Sequence, residues 1–230
     1  MNAFQTLLAE LPSSTEPTPA TPVFGQGPQR AIPAAASVRE EQIQALVQQL
    51  FFRHESAVVR HVAFAPVESS TGTASLCLEV AKALAGEDEY DVGLIDANSD
   101  PILLQTQLRI PPPSLPLNTW PVAPRLWMVP RQSWLADSSG RRLTDQNLLR
   151  LHEITAQFDF SIWWCAPISW LTASLGQSCD GLVLVLTANK TRRLVAAQIK
   201  DQLRKAQVRL LGSVLAERRF PVPQGLYRNL

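Results

Sequence analysis

The chain has 230 residues, of which 46% are hydrophobic and 18% charged, with a formal net charge of +1. That fits one soluble globular domain plus a tail, large enough to bury roughly 70% of its unfolded surface without a disulfide or metal staple. It excludes nucleic-acid binding as the main business, since phosphate contacts need clustered Lys and Arg, and no apolar run nears the ~20 residues of a membrane helix, so no direct membrane span is expected.

In chain order, residues 1–11 come first. Phe4, Leu7, Leu8 and Leu11 follow helical spacing, which predicts a short amphipathic helix suited to a partner's groove. Packing back on its own domain, or staying disordered, is the competing reading. The segment has no Lys or Arg to attract anionic lipid, nor the basic-then-apolar pattern of a secretory signal. Residues 12–37 read as a flexible linker, punctuated by Pro12, Pro17, Pro19, Pro22, Pro28 and Pro33 among Ser, Thr and Ala. The folded domain is expected over 38–230.

Ser37 is a candidate N-cap, with Glu40 completing a capping box, and Ile43, Leu46, Val47, Leu50 and Phe51 form one apolar stripe on the helix that follows. Strands are then predicted over 62–66, 92–96, 126–130, 160–164, 182–187 and 208–215, and helices over 73–85, 144–157 and 191–206. The strands are near-continuous apolar runs, as in a parallel sheet covered on both faces. Their alternation with helices predicts an α/β fold: a doubly wound, mainly parallel sheet sandwiched by helices. Between residues 101 and 124, Pro111, Pro112, Pro113, Pro116, Pro121 and Pro124 break the pattern, and a long surface loop is expected there. Cys77, Cys165 and Cys179 lack CxxC spacing and read as reduced core thiols. His54, His61 and His152 lack metal-ligand spacing, and no metal is expected.

In such a fold, ligands bind beyond the carboxyl ends of the strands. The first strand–helix junction reads Phe64-Ala-Pro-Val-Glu-Ser-Ser-Thr-Gly-Thr-Ala-Ser-Leu76. It has the position and length of a phosphate-binding loop but little of its chemistry, which needs glycines for close approach, a Lys for the phosphates and a hydroxyl for Mg²⁺.

From Glu41 onward the chain resembles the cytoplasmic domain of bacterial tyrosine kinases, the autokinases associated with polysaccharide co-polymerases, within the deviant P-loop group that includes MinD and plasmid-partition ATPases. The residues carrying this are Val80-Ala-Lys-Ala-Leu-Ala85, Val92-Gly-Leu-Ile-Asp-Ala97, Phe158-Asp-Phe-Ser-Ile162, Cys179-Asp-Gly-Leu-Val-Leu-Val185, Lys190-Thr-Arg-Arg193 and Arg219-Phe-Pro-Val-Pro-Gln-Gly-Leu-Tyr-Arg228. Against the family's Gly-Glu-Gly-Lys-Ser/Thr-Thr loop ending, this sequence offers Ser70-Thr71-Gly72-Thr73-Ala74-Ser75. The resemblance thus implies that Thr73 replaces the phosphate lysine and Ala74 the magnesium hydroxyl, while Gly72 and Ser75 keep their types. A charge-assisted contact of roughly 1.5–3 kcal/mol goes with the lysine. In the second acidic element Asp96 remains, Asn98 replaces the second Asp, and Asp100 stands at the Arg position. Trp164 takes the acidic position of the third element. Ala216 replaces the base-reading Asn.

Trp163 and Trp164 should point to opposite faces of their strand, one into core and one near the old pocket. In the N-terminal helix Glu41 survives from the family's oligomerisation pattern, but Gln44 and Val47 replace its arginines, and the tyrosine-rich tail is absent.

Gly72, Thr73, Ala74, Ser75, Asp96, Asn98 and Trp164 therefore form the expected vestigial nucleotide site. No catalytic residue is assigned and no cofactor is expected; ATP with Mg²⁺ stays open, because backbone amides near Gly72 could still cradle a phosphate. The resemblance implies a regulator or scaffold of bacterial exopolysaccharide or capsule synthesis and export. Its implied partner is an inner-membrane polysaccharide co-polymerase or chain-length regulator, reached from the cytoplasm through Phe4, Leu7, Leu8, Leu11 or Glu41, with homo-oligomerisation left open. The alternatives are a residual tyrosine autokinase or ATPase with an atypical loop, and a switch based on nucleotide-free dimerisation.

Overall fold

A computed structural model describes residues 35–52, 58–69, 72–86, 90–98, 104–111, 118–135 and 143–217. Seven strands form one sheet: β1 (His61–Pro66), β2 (Val92–Ala97), β3 (Trp120–Ala123), β4 (Leu126–Val129), β5 (Phe160–Cys165), β6 (Gly181–Thr187) and β7 (Leu210–Ala216). Their order is β3-β4-β2-β5-β1-β6-β7. Every pairing is parallel except β3 with β4. β1, β2 and β5 are buried from their second residue onward, which is why they read as unbroken apolar runs rather than as alternation.

The helices are α1 (Ala35–Val47), α2 (Gly72–Ala85), α3 (Leu104–Gln107), α4 (Asp145–Thr155), α5 (Trp170–Gln177) and α6 (Arg193–Lys205). α1 and α2 cover one face, with Val47, Leu76, Cys77, Val80 and Leu84 packed on Phe64, Ile162 and Trp164. α4, α5 and α6 cover the other, where Leu151, Leu171, Leu175 and Leu203 pack on Ala63, Ile95 and Trp163. The connection from β1 steps toward β3, and those leaving β4, β5 and β6 step back toward β7, so one crossover hand puts them on opposite faces. β1 is flanked by β5 and β6, whose connections cross on the face away from α2. The crevice of this sheet therefore opens at the carboxyl end of β1.

The doubly wound reading holds, with local differences. α1 begins at Ala35, so Ser37 lies within its first turn instead of capping it; Ala35 and Ala36 are strong helix formers. A π-helical turn (Gln48–Phe52) then keeps Leu50 and Phe51 in the core. Thr144 caps α4 through a capping box with Asn147. The stretch from 101 to 124 is not one loop. It contains α3, with Leu104 fully buried, and the edge strand β3. Pro121 is tolerated in β3 because an edge strand leaves one row of backbone amides unpaired. The short helix α5 had no expectation attached to it.

The thiols of Cys77 and Cys165 are buried and that of Cys179 half-buried, and all are free. Burial raises all three, Cys179 to about 11, so they stay protonated and unreactive. Among the described residues no helix is long and apolar enough to cross a membrane, and no three His, Cys, Asp or Glu side chains converge on a metal position.

Candidate functional site

The β1–α2 junction and the ends of β2 and β5 supply the residues of the expected nucleotide site. Gly72 opens α2, Thr73 and Ala74 are buried in its first turn, and Ser75 is exposed. Asp96 and Trp164 are register partners on neighbouring strands, and Trp164 also pairs with Phe64 of β1. The fold thus places Asp96 and Trp164 side by side, with Trp164 on the strand next to β1 and Asp96 one strand further from the loop that leads to Gly72. Residues 70, 71 and 100 lie outside the described residues, as do Phe4, Leu7, Leu8, Leu11 and the stretch 218–230. Glu41 is exposed on α1.

Asp96 is the most constrained of these groups. It is 2% exposed, and its carboxylate accepts from the backbone amides of Asn98 at 3.2 Å and Leu104 at 2.9 Å. The second bond satisfies an otherwise orphan amide at the start of α3, so Asp96 ties the end of β2 to the next element. Its carbonyl oxygen accepts from Trp134 Nε1 at 3.0 Å, and Arg131 Nη1 donates to the Asn98 carbonyl at 2.8 Å. Burial raises the Asp96 carboxyl from 3.8 to about 6, against the pull of the two amides and the Arg131 charge. Arg131 and Trp134 were not legible as partners of Asp96, because they come from a 3₁₀ turn (Arg131–Ser133) and its flank after β4.

Trp164 is 4% exposed and sits in the core layer beneath α2, with Ala74 and Val80. Trp163 is fully buried in the opposite layer. The two indoles do face opposite ways, but both are core; neither presents a ligand surface.

The loop itself carries two buried atoms without hydrogen-bond partners, Glu68 Oε2 and Thr73 Oγ1; among the described residues the third is Trp120 Nε1 at the far edge of the sheet. Such atoms are uncommon in folded chains and mark places where packing alone did not choose the residue. Glu217, just past β7, reaches this junction: its Oε1 lies 2.6 Å from where a Cβ on Gly72 would stand, with Cγ at 3.3 Å and Cδ at 3.4 Å. A Cβ at residue 72 would therefore force the Glu217 carboxylate to move. Nothing in the sequence pattern pointed to Glu217.

Against the demands of a nucleotide, these residues fit poorly. The first turn of α2 offers backbone amides but no cation, the position after Thr73 has no hydroxyl, and the Asp96 carboxylate is already bound to two amides.

No family model matches the chain, and no curated protein does. Solved structures do. The kinase domain of VpsO superposes with a TM-score of 0.64 at 17% identity, over 80% of this chain and 98% of that one. The tyrosine kinase domain of BceF gives 0.61 at 18% identity, over 78% and 80%. The kinase domain of the Escherichia coli tyrosine kinase ETK gives 0.61 at 14% identity, over 81% and 80%. The chain therefore shares the α/β fold of these tyrosine kinase domains.

Proposed function

We propose that this chain is a non-catalytic regulator or scaffold of bacterial exopolysaccharide or capsule synthesis and export. It acts at the cytoplasmic side with an inner-membrane polysaccharide co-polymerase or chain-length regulator, and it requires neither nucleotide nor Mg²⁺. The observation that carries this reading is the Asp96 carboxylate, buried and held by the amides of Asn98 and Leu104. Phosphoryl transfer depends on positioning and on charge supplied by a lysine and Mg²⁺. Thr73 offers no cation and Ala74 no hydroxyl at the head of α2, and Asp96, the acid retained from the family's second acidic element, works as a structural cap. The pathway and the partner rest on the family resemblance of the sequence together with the shared fold.

One observation favours a second reading, a residual tyrosine autokinase or ATPase: the raised carboxyl of Asp96 at a strand end, since shifted acids gather at active sites. Incubating the pure protein with γ-labelled ATP and Mg²⁺ separates the two. The first reading expects no label on the protein and no released phosphate; Mg²⁺-dependent turnover that disappears in Asp96→Ala would sink it.

A further inference from the structure

The geometry points to Glu217 as a built-in anion that occupies the relict phosphate position at the head of α2 and keeps phosphate out. The closeness of its carboxylate to Gly72 carries the argument. Oε1, Cδ and Cγ all crowd the space that any side chain at residue 72 would fill. In a phosphate-binding loop that space is left open by a glycine so that phosphate oxygens can approach the backbone. Here an oxyanion of the chain itself makes the approach.

Further features agree. β7 ends with the Ala216 carbonyl accepting from the Ala188 amide at 2.9 Å, which fixes the backbone immediately before Glu217. Glu217 itself has φ 58°, in the left-handed region that a glutamate seldom adopts, and α2 packs against β7. Next to Gly72, Thr73 Oγ1 is fully buried and without a partner. The sequence from Val67 to Ser75 has no lysine to outbid a carboxylate for an anion site. The amino end of α2 and the positive end of its dipole favour an anion at this position.

The inference rests on reading this junction as a relict phosphate site, but its readout is anion-dependent stability, not turnover. A chain that hydrolysed ATP would overturn the proposed function and leave this test intact. The experiment is thermal unfolding of the full chain as wild type, Glu217→Ala and Glu217→Gln, in sodium pyrophosphate and in sodium chloride at matched ionic strength. Glu217→Ala should melt about 2–4 °C lower in chloride and regain most of that in pyrophosphate. Glu217→Gln, which keeps the shape without the charge, should fall between, and the wild type should not respond. Overturning results are a Glu217→Ala melting point equal to wild type in chloride, no recovery in pyrophosphate, or an equal pyrophosphate gain in the wild type.

Discussion

The two ends of the sheet treat their polar groups differently. At the amino ends of the strands, the Asp180 carboxylate accepts from the amides of Arg60 and His61 at 2.7 and 2.8 Å. His61 Nδ1 meets Ser161 Oγ at 2.8 Å, and the same hydroxyl accepts from Trp163 Nε1 at 2.7 Å. Ser161 and Trp163 are fully buried, and burial pushes the His61 imidazole below its ordinary value, opposed by Asp180. At the carboxyl ends, the β1–α2 junction leaves Glu68 Oε2 and Thr73 Oγ1 unpaired. Packing completed the polar groups at one end, whereas the β1–α2 junction at the other carries two side chains, Glu68 and Thr73, whose polarity the fold does not fully use. That is the expected mark of a former binding edge.

The sharpest way to break this contrast is at Trp164. As a core side chain beneath α2, its removal in Trp164→Ala should cost about 3–5 kcal/mol by denaturant unfolding. A cost below about 1 kcal/mol would mean that it faces a ligand surface instead.

Asp96 comes next. Its raised carboxyl means that the native state holds a proton the unfolded chain has released, so its contribution is complete below about pH 4 and is lost as pH rises through about 6. Relative to Asp96→Asn, which cannot ionise, the wild type should lose about 2–3 kcal/mol between pH 4 and pH 7. Parallel pH profiles for the two would show that the carboxylate is not buried in solution. His61 has the opposite sign: its lowered value gives stability that is present above its ordinary 6.5 and is lost as pH falls through the folded value.

At the amino end, Ser161→Ala strips Trp163 Nε1 and His61 Nδ1 of their shared hydroxyl and should destabilise by about 2 kcal/mol. The smallest effect belongs to Thr73→Val. Exchanging an unpaired buried hydroxyl for a methyl should leave stability unchanged or raise it by up to about 1 kcal/mol. A loss greater than that would show that the hydroxyl has a partner in solution and would erase the difference between the ends.

The fold was largely legible in the sequence because its strands are apolar throughout and its long helices are amphipathic, two patterns that depend on local spacing. α5 was not: Trp170–Gln177 is short, and Trp170 is exposed while Leu171 and Leu175 are buried, so too few turns repeat to establish a period. β3 was hidden by Pro121, since a proline is compatible with a strand only once that strand is known to be an edge. At the site, sequence spacing located Gly72, Thr73 and Asp96, each next to its strand in the chain. It could not locate Arg131, Trp134 or Glu217, which reach the same edge through β4 and β7. The roles of Asp96 as a cap and of Glu217 against Gly72 are tertiary facts with no local signature.

The central claim is that the carboxyl edge of this sheet is no longer a nucleotide site. Titration calorimetry of the full chain with ATP and Mg²⁺ tests it directly: the account predicts no binding heat up to millimolar nucleotide, and a saturable micromolar isotherm would contradict it.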